Sequence, residues 1–535
     1  MPQVLTFFLT MEQTHLYSSH HNVNLLTAAL LAHNIRHVVV CPGSRNAPIV
    51  HNLVVNGEFF LHAVTDERSA AFVALGVCLK QREGVALCVT SGSALLNTLP
   101  GVAEAAFRHL PLLVISADRP AEFHGILDGQ TLPQVGALEP YASTWQVAES
   151  SPCDDLSTRE ALAGAFAQFV SSPRRVVHLN CPIAEPLFTF DVNDLPAFPT
   201  TMPALIAYES DALVERWKRE LVKSELPAMV IGEMDDDAIS EIANRLRSEN
   251  KMLVYAECLS QCRDHRLALW ADQHDEVIPD VVIHLGGCFV NKQFKLRLRA
   301  TSRTKVLRID ESFGEAIGEN DKMHCPDTFF KQPDWLRTPE VLKTIEYLTA
   351  ELSENTQIRA IHAQLQPAAA VSLPCEAVFV GNSRTIRVVN RHWPVVDFPI
   401  YGNRGTNGIE GSLSVAAGYS LVSAGNVLCI LGDLSFFYDV NALWNRQLDG
   451  RLRILLLNNG RGDIFYGLPG LSASPALTDY VAAAHQTSAR GIAESYHCIY
   501  QSASADTMEE ALDLYAAPLL QQTADRPILF EIFIS

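Results

Sequence analysis

The chain has no surplus of positive charge. Its 535 residues carry 41 Lys and Arg against 60 Asp and Glu, a formal net charge of −19. That balance argues against a nucleic-acid or anionic-membrane surface, and anionic ligands would need local clusters of cations. No apolar run reaches the length of a membrane span. The N-terminal MPQVLTFFLT is apolar but lacks a basic leader region and a cleavage site. Residues 1–10 read as an extension ahead of a start at Met11. The twelve cysteines are scattered. One group, Cys258-x(3)-Cys262-x(2)-His265, has no second ligand pair, so buried or free thiols are the better reading. A cytosolic, reducing compartment fits. There is no GxGxxG, so a dinucleotide fingerprint is not supported, and no short-period repeat is visible.

What is present is apolar content of 48%, ample for sizeable cores, and length for about three domains. Strand-like runs recur at Arg36–Cys41, Phe59–Val64, Val85–Thr90, Leu112–Ser116 and Arg175–Asn180, with helical patterns between them, as at 69–80 and 94–108. Residues 187–205 are proline-rich and read as a linker. The segment 206–355 alternates again, with strands at Ala228–Ile231, Met252–Tyr255, Val281–Leu285 and Val306–Ile309, and a turn-rich stretch at 319–335. Repeated βα units predict an α/β chain of parallel sheets covered by helices on both faces.

The last segment, 356–535, holds the most informative stretch. The run Asn426–Leu431 leads into Gly432-Asp433, a helical pattern follows with Phe437, Val440, Leu443 and Trp444, and the run Leu452–Leu457 ends on Asn458-Asn459. Asp433 and Asn459 thus lie just past the carboxyl ends of two strands, the edge where open parallel sheets bind ligands. A carboxylate and an amide carbonyl are hard oxygen donors suited to Mg²⁺, which takes its remaining oxygens from phosphates and water. A helix N-cap at Asp433 and a turn at Asn458-Asn459 are the competing structural uses. The spacing Gly-Asp-x(25)-Asn resembles the diphosphate anchor of thiamine diphosphate (ThDP) enzymes.

Other strand ends carry Cys41-Pro-Gly-Ser-Arg45, Thr65-Asp-Glu-Arg-Ser69, Thr90-Ser-Gly-Ser-Ala-Leu-Leu-Asn97 and Ala117-Asp-Arg-Pro120. Gly129-Gln-Thr-Leu-Pro-Gln-Val-Gly136 and the glycine-rich 402–411 loop, GNRGTNGIEG, complete the set. Asp66 and Glu67 also suit an acidic helix start, and Arg119 a surface ion pair.

Together these stretches, with GNSRTIR around Ser383 and Arg387, resemble the 2-succinyl-5-enolpyruvyl-6-hydroxy-3-cyclohexene-1-carboxylate (SEPHCHC) synthase family of ThDP enzymes, the MenD family. They span residues 41–465. The resemblance implies three doubly wound parallel-sheet domains: pyrimidine-binding over 1–190, central over 206–355 and diphosphate-binding over 356–535. It implies ThDP with Mg²⁺ (or Mn²⁺) and a cytoplasmic transferase of menaquinone biosynthesis, joining 2-oxoglutarate to isochorismate with loss of CO₂. It implies a homodimer or a dimer of dimers whose active sites are shared between chains. Glu67 would be catalytic, bonded to N1′ of the aminopyrimidine. Gly432, Asp433, Leu434, Ser435, Asn458 and Asn459 would meet the cofactor, Ile409 would sit beneath it, and Ile464 and Phe465 would line its pocket. Asp433, Asn459 and the Arg461 carbonyl would hold the metal. Ser44, Arg45, Arg119, Gln130, Lys292, Ser383, Arg387 and Arg404 would meet substrate carboxylates.

The chain departs from the family at Gly129, where Asn is common, at Gln293, where a second cation is common, and at 460–463, which is poorer in glycine. A ThDP carboligase of the acetolactate synthase type would share Glu67 and Asp433 but not the arginine set. A ThDP-fold sensor or scaffold would be expected to lose Glu67 or Asp433.

Overall fold

The computed structural model describes residues 16–149, 155–170, 176–200, 211–234, 237–301, 303–309, 321–323 and 339–535. The extension with Met11, and all of 319–335 except the strand Asp321–Met323, lie outside them.

Three parallel sheets take up the apolar runs. The first holds β1 (His37–Val40), β2 (Phe60–Ala63), β3 (Val85–Val89), β4 (Leu112–Asp118), β5 (Ala142–Gln146) and β6 (Val176–Pro182), in the order β2-β1-β3-β4-β6-β5. The second holds β7 (Pro227–Ile231), β8 (Leu253–Ala256), β9 (Val281–Leu285), β10 (Lys305–Ile309) and β11 (Asp321–Met323), in the order β8-β7-β9-β10-β11. The third holds β12 (Ala377–Val380), β13 (Ile400–Tyr401), β14 (Val427–Gly432), β15 (Leu452–Asn458), β16 (Ile499–Ala505) and β17 (Ile528–Ile534), in the order β13-β12-β14-β15-β17-β16. The central strands are buried along their whole length, as continuous Val/Leu/Ile runs require when helices cover both faces.

The first and third sheets share one strand order. In each, the direction of winding reverses beside the first strand, which opens a crevice at the carboxyl edge. In the third sheet that edge gathers the residues after β12, β14 and β15.

Four local expectations change. Residues 94–108 form two helices, Ser93–Asn97 and Leu99–Arg108, because Pro100 sits in the first turn of the second and has no N–H to continue the first. The helix after Gly432 is short, Asp433–Tyr438, followed by a 3₁₀ turn at Val440–Leu443. Within the proline-rich 187–205 stretch, Phe190–Val192 pairs antiparallel with Tyr17–Ser18, tying it to the first unit. The helix Thr356–His362 puts Ile358 and Ile361 into a core with Leu226, Ala228, Tyr255 and Leu267, so it belongs with the second sheet rather than the third. The strand β5, ASTWQ, was not anticipated: it is a half-buried edge strand with no apolar run.

The first and third units meet through two helices, Glu67–Gln81 and Ser412–Leu421. A Cβ on Gly76 would lie 2.0 Å from the Val415 carbonyl, and one on Gly418 2.1 Å from that of Val73, so glycine is what lets the backbones touch. Both helices are buried along nearly all of their length.

Candidate active site

A cavity of about 610 Å³ lies at the carboxyl edge of the third sheet. Its wall includes Ser383 and Arg387 after β12, Arg404 and Ile409 from the 402–411 loop, Gly432 at the end of β14 with Asp433, Leu434 and Ser435 beyond it, and Asn459, Arg461, Ile464 and Phe465 after β15. The middle unit adds Cys288, Phe289 and Lys295.

Asp433 is 2% exposed. Its Oδ1 accepts from the Leu434 N–H at 2.7 Å and its Oδ2 from the Arg461 N–H at 3.2 Å, with His485 Nε2 3.5 Å from Oδ2. Burial pushes its pKa up, against the pull of those N–H groups and His485. One terminal atom of the Asn459 amide lies 3.2 Å from Asp433 Oδ2 and 2.7 Å from the Arg461 carbonyl oxygen. Turned with its nitrogen inward, the amide donates to both. Turned with its oxygen inward, three oxygens converge, with the Arg461 N–H shared at 3.2 Å from Asp433 Oδ2 and 3.4 Å from Asn459 Oδ1, and a hard cation satisfies the oxygen–oxygen contacts that this one proton does not. The residues therefore fit a divalent metal that a diphosphate would complete.

The wall is cationic despite the acidic chain. Arg404 is 5% exposed, with Nη1 donating to Asn382 Oδ1 and Nη2 to the Phe289 carbonyl, both at 3.0 Å, while its Nε is buried without a partner. Arg387 Nη1 donates to the Ser383 carbonyl. Burial and then Arg404 lower its pKa, and Glu257 opposes them. Two like charges held this close favour an anion between them.

Asn458 stands apart from the expected cofactor contacts. It is absent from the cavity wall and its Nδ2 donates to Glu531 Oε1 at 2.7 Å and the Thr487 carbonyl at 2.9 Å, so it shapes the turn from behind. Lys292 opens the helix Lys292–Ala300, and its side chain lies outside the described residues.

Within one chain the first unit's candidates lie outside the cavity wall. Glu67 begins its helix after the Asp66 N-cap and lies 3.5 Å from Asn97 Nδ2. Arg45 is buried, donating to the Ile183 carbonyl at 2.8 Å and Glu185 Oε1 at 2.9 Å. Burial lowers its pKa most, Glu185 opposes, and nearby Arg119 lowers it further. Arg119 has a buried Nε without a partner. Ser44 is exposed, and Gln130, at φ +58°, lies over Gly92.

Several residues at or near these positions escaped the sequence reading. Lys295, Arg384 and Asp463 line the cavity, Arg384 and Asp463 as an ion pair. Lys295 is one helical turn beyond Lys292, whereas Gln293, the departure from the family pattern, lines a neighbouring cavity. His485 reaches Asp433 from a segment with no motif. Gln134 joins three motifs: its Oε1 accepts from the Gly92 N–H at 2.8 Å, and its Nε2 donates to the Ala117 carbonyl at 3.2 Å and Asn180 Oδ1 at 2.8 Å. Its place in GQTLPQVG was the available signal. Cys258 and Cys262 are buried free thiols, and His265 Nε2 bonds the Cys262 carbonyl at 2.7 Å.

Comparison with known proteins adds the following. Residues 21–139 match the family described as thiamine pyrophosphate enzyme, N-terminal TPP binding domain. A Bacteroides fragilis protein called 2-succinyl-5-enolpyruvyl-6-hydroxy-3-cyclohexene-1-carboxylate synthase is 35% identical over 97% of both chains. Proteins of the same name from Bacteroides thetaiotaomicron (35%, over 97% of this chain and 96% of that one) and Desulfotalea psychrophila (32%, over 94% and 96%) are also similar. An X-ray structure of a thiamin diphosphate-dependent enzyme from Mycobacterium smegmatis shares the fold, with a TM-score of 0.66 at 16% identity, covering 96% of this chain and 99% of that one.

Proposed function

The chain belongs to the 2-succinyl-5-enolpyruvyl-6-hydroxy-3-cyclohexene-1-carboxylate synthase family, and on that footing we propose that it joins 2-oxoglutarate to isochorismate with loss of CO₂, using ThDP and Mg²⁺. The observation that carries this reading is one cavity combining a three-oxygen cation site, Asp433, Asn459 and the Arg461 carbonyl, with paired arginines suited to carboxylates.

Bound ThDP would supply a nucleophilic thiazolium carbon, the chemistry needed to decarboxylate a 2-oxo acid and transfer the remaining acyl unit. Asp433, Asn459 and the Arg461 carbonyl would hold the metal that anchors its diphosphate. Ile409, Ile464 and Phe465 give the cavity an apolar wall. Ser383 and Arg387 orient 2-oxoglutarate by its carboxylates, and Arg404 faces the same space. Glu67 holds and returns the proton at N1′ of the aminopyrimidine. Glu67, Ser44, Arg45, Arg119 and Gln130 lie outside this cavity wall in a single chain, which supports a site completed by a second copy in a homodimer or dimer of dimers. Cys41, Cys88, Cys181, Cys258, Cys262 and Cys429, buried as thiols, support the cytoplasm as its compartment.

The test is incubation with ThDP, Mg²⁺, 2-oxoglutarate and isochorismate, with the product identified by mass. The ligated product is expected. Turnover of pyruvate to acetolactate with no ligation to isochorismate would refute the substrate assignment.

A further inference from the structure

The 402–411 loop carries Arg404 and Ile409; within it Asn407 Nδ2 donates to the Arg404 carbonyl at 3.0 Å, and from its own unit Asn382 Nδ2 donates to the Asn403 and Gly408 carbonyls at 2.7 and 2.6 Å. A further hold, on the two residues after Arg404, comes from the first unit. Glu104, in the helix Leu99–Arg108, is fully buried. Its Oε1 accepts from the Gly405 N–H at 3.0 Å, and its Oε2 accepts from the Thr406 N–H at 2.7 Å and the Thr406 hydroxyl at 2.9 Å. All three donors come from the two residues after Arg404. One helical turn on, Arg108 Nη1 donates to the Gly402 carbonyl at 3.0 Å. The segment with Arg404 at its centre is thus held on both sides by one helix face.

The contact is too close for chance filling. A Cβ at Gly405 would lie 2.9 Å from the Glu104 carbonyl and 3.0 Å from its Oε2. A buried carboxylate is costly unless several donors surround it, and an apolar residue of the same size would leave those three donors without an acceptor. A carboxylate is therefore worth keeping here for what it fixes. The loop it fixes bears a guanidinium whose Nε is buried without a partner and whose other end rests on Asn382 and Phe289.

We propose that Glu104 is a positioning residue for substrate binding: by holding the Gly405 and Thr406 backbone it sets the Arg404 guanidinium in the cavity. This rests on the reading of Arg404 as a substrate contact. Glu104 touches neither substrate nor cofactor and acts through Arg404.

The experiment is a double-mutant cycle of Glu104→Gln and Arg404→Ala, with KM for each substrate, hydrogen exchange of the 402–411 segment and a thermal melt. A glutamine offers one acceptor oxygen where the carboxylate offers two, so a donor in the loop loses its partner. Glu104→Gln should raise KM for the substrate that Arg404 contacts by about tenfold. It should leave kcat within a few-fold and speed exchange at Gly405 and Thr406. In the Arg404→Ala background it should change KM by less than about twofold, because coupled residues are non-additive. An equal KM increase with and without Arg404 would show a merely structural role and overturn the proposal, as would an unchanged KM. If Arg404→Ala raises KM while Glu104→Gln does not, only the proposal falls. If Arg404→Ala itself leaves both KM values unchanged, the reading of Arg404 falls and takes the proposal with it. Should Glu104→Gln fail to fold, Thr406→Val removes one donor and keeps the carboxylate. It should act in the same direction by roughly two- to threefold, and no change would again overturn the proposal.

Discussion

Glu257 sits behind the cationic wall and offers a quantitative check on the electrostatics there. Its carboxylate accepts from the N–H groups of Val290 at 2.5 Å and Asn291 at 2.7 Å, next to the Phe289 carbonyl that receives Arg404. Burial pushes its pKa from 4.5 up to about 7, against those two N–H donors and Arg404. The folded chain therefore keeps a proton that the unfolded chain has already released between pH 4.5 and about 7. The stability this contributes is complete below pH 4.5 and is lost as pH rises through about 7. A shift of that size is on the order of 3 kcal/mol. Glu257→Gln keeps the shape and removes the titration. In urea unfolding, wild type should lose on the order of 3 kcal/mol relative to Glu257→Gln between about pH 5 and about pH 8. His62, His178 and His265, pushed down to about 4 by burial, tilt both curves the other way and cancel in the difference. Stability curves that run parallel over that range would refute the argument.

Four further outcomes follow from the site. Asp433→Ala should abolish Mg²⁺-dependent ThDP binding in calorimetry while the chain stays folded; unchanged affinity would remove Asp433 from the metal set. Glu67→Gln should lose roughly 10² to 10⁴ in rate while still binding ThDP, and wild-type hydrogen exchange at the thiazolium C2 would contradict that role. Arg387→Ala should raise KM for 2-oxoglutarate by about ten- to a hundredfold. Arg119→Ala should raise that for isochorismate and spare single-turnover decarboxylation of 2-oxoglutarate. Equal loss of both steps in Arg119→Ala would erase the division of labour.

Much of the architecture was legible because it rests on local patterns. Buried parallel strands read as continuous apolar runs, and β3, β9 and β14 stand within a residue of where those runs lie. The edge strand β5 had no such run. The helix Thr356–His362 could not be assigned to a unit from its periodicity, since an apolar stripe says that a face is buried and not against what. Asp433 and Asn459 were legible as partners because strand ends in a parallel sheet share one edge. His485 and Glu104 were not, because nothing in a sequence links residues 52 positions or 301 positions apart to the groups they meet.

By itself, then, the sequence determined the α/β class, the strand ends and the identity of the groups placed there, since strand burial and turn chemistry depend on neighbours in the chain. The tertiary structure alone decided which of those groups share a cavity. It brought Ser383, Arg387, Arg404, Asp433, Asn459 and Lys295 to one wall, and left Glu67, Arg45 and Arg119 outside it. It also turned Asn458 inward and set a buried carboxylate from one unit under the loop of another. The physical reason is that contacts between units depend on how whole helices and sheets pack, as where Gly76 and Gly418 let two backbones touch.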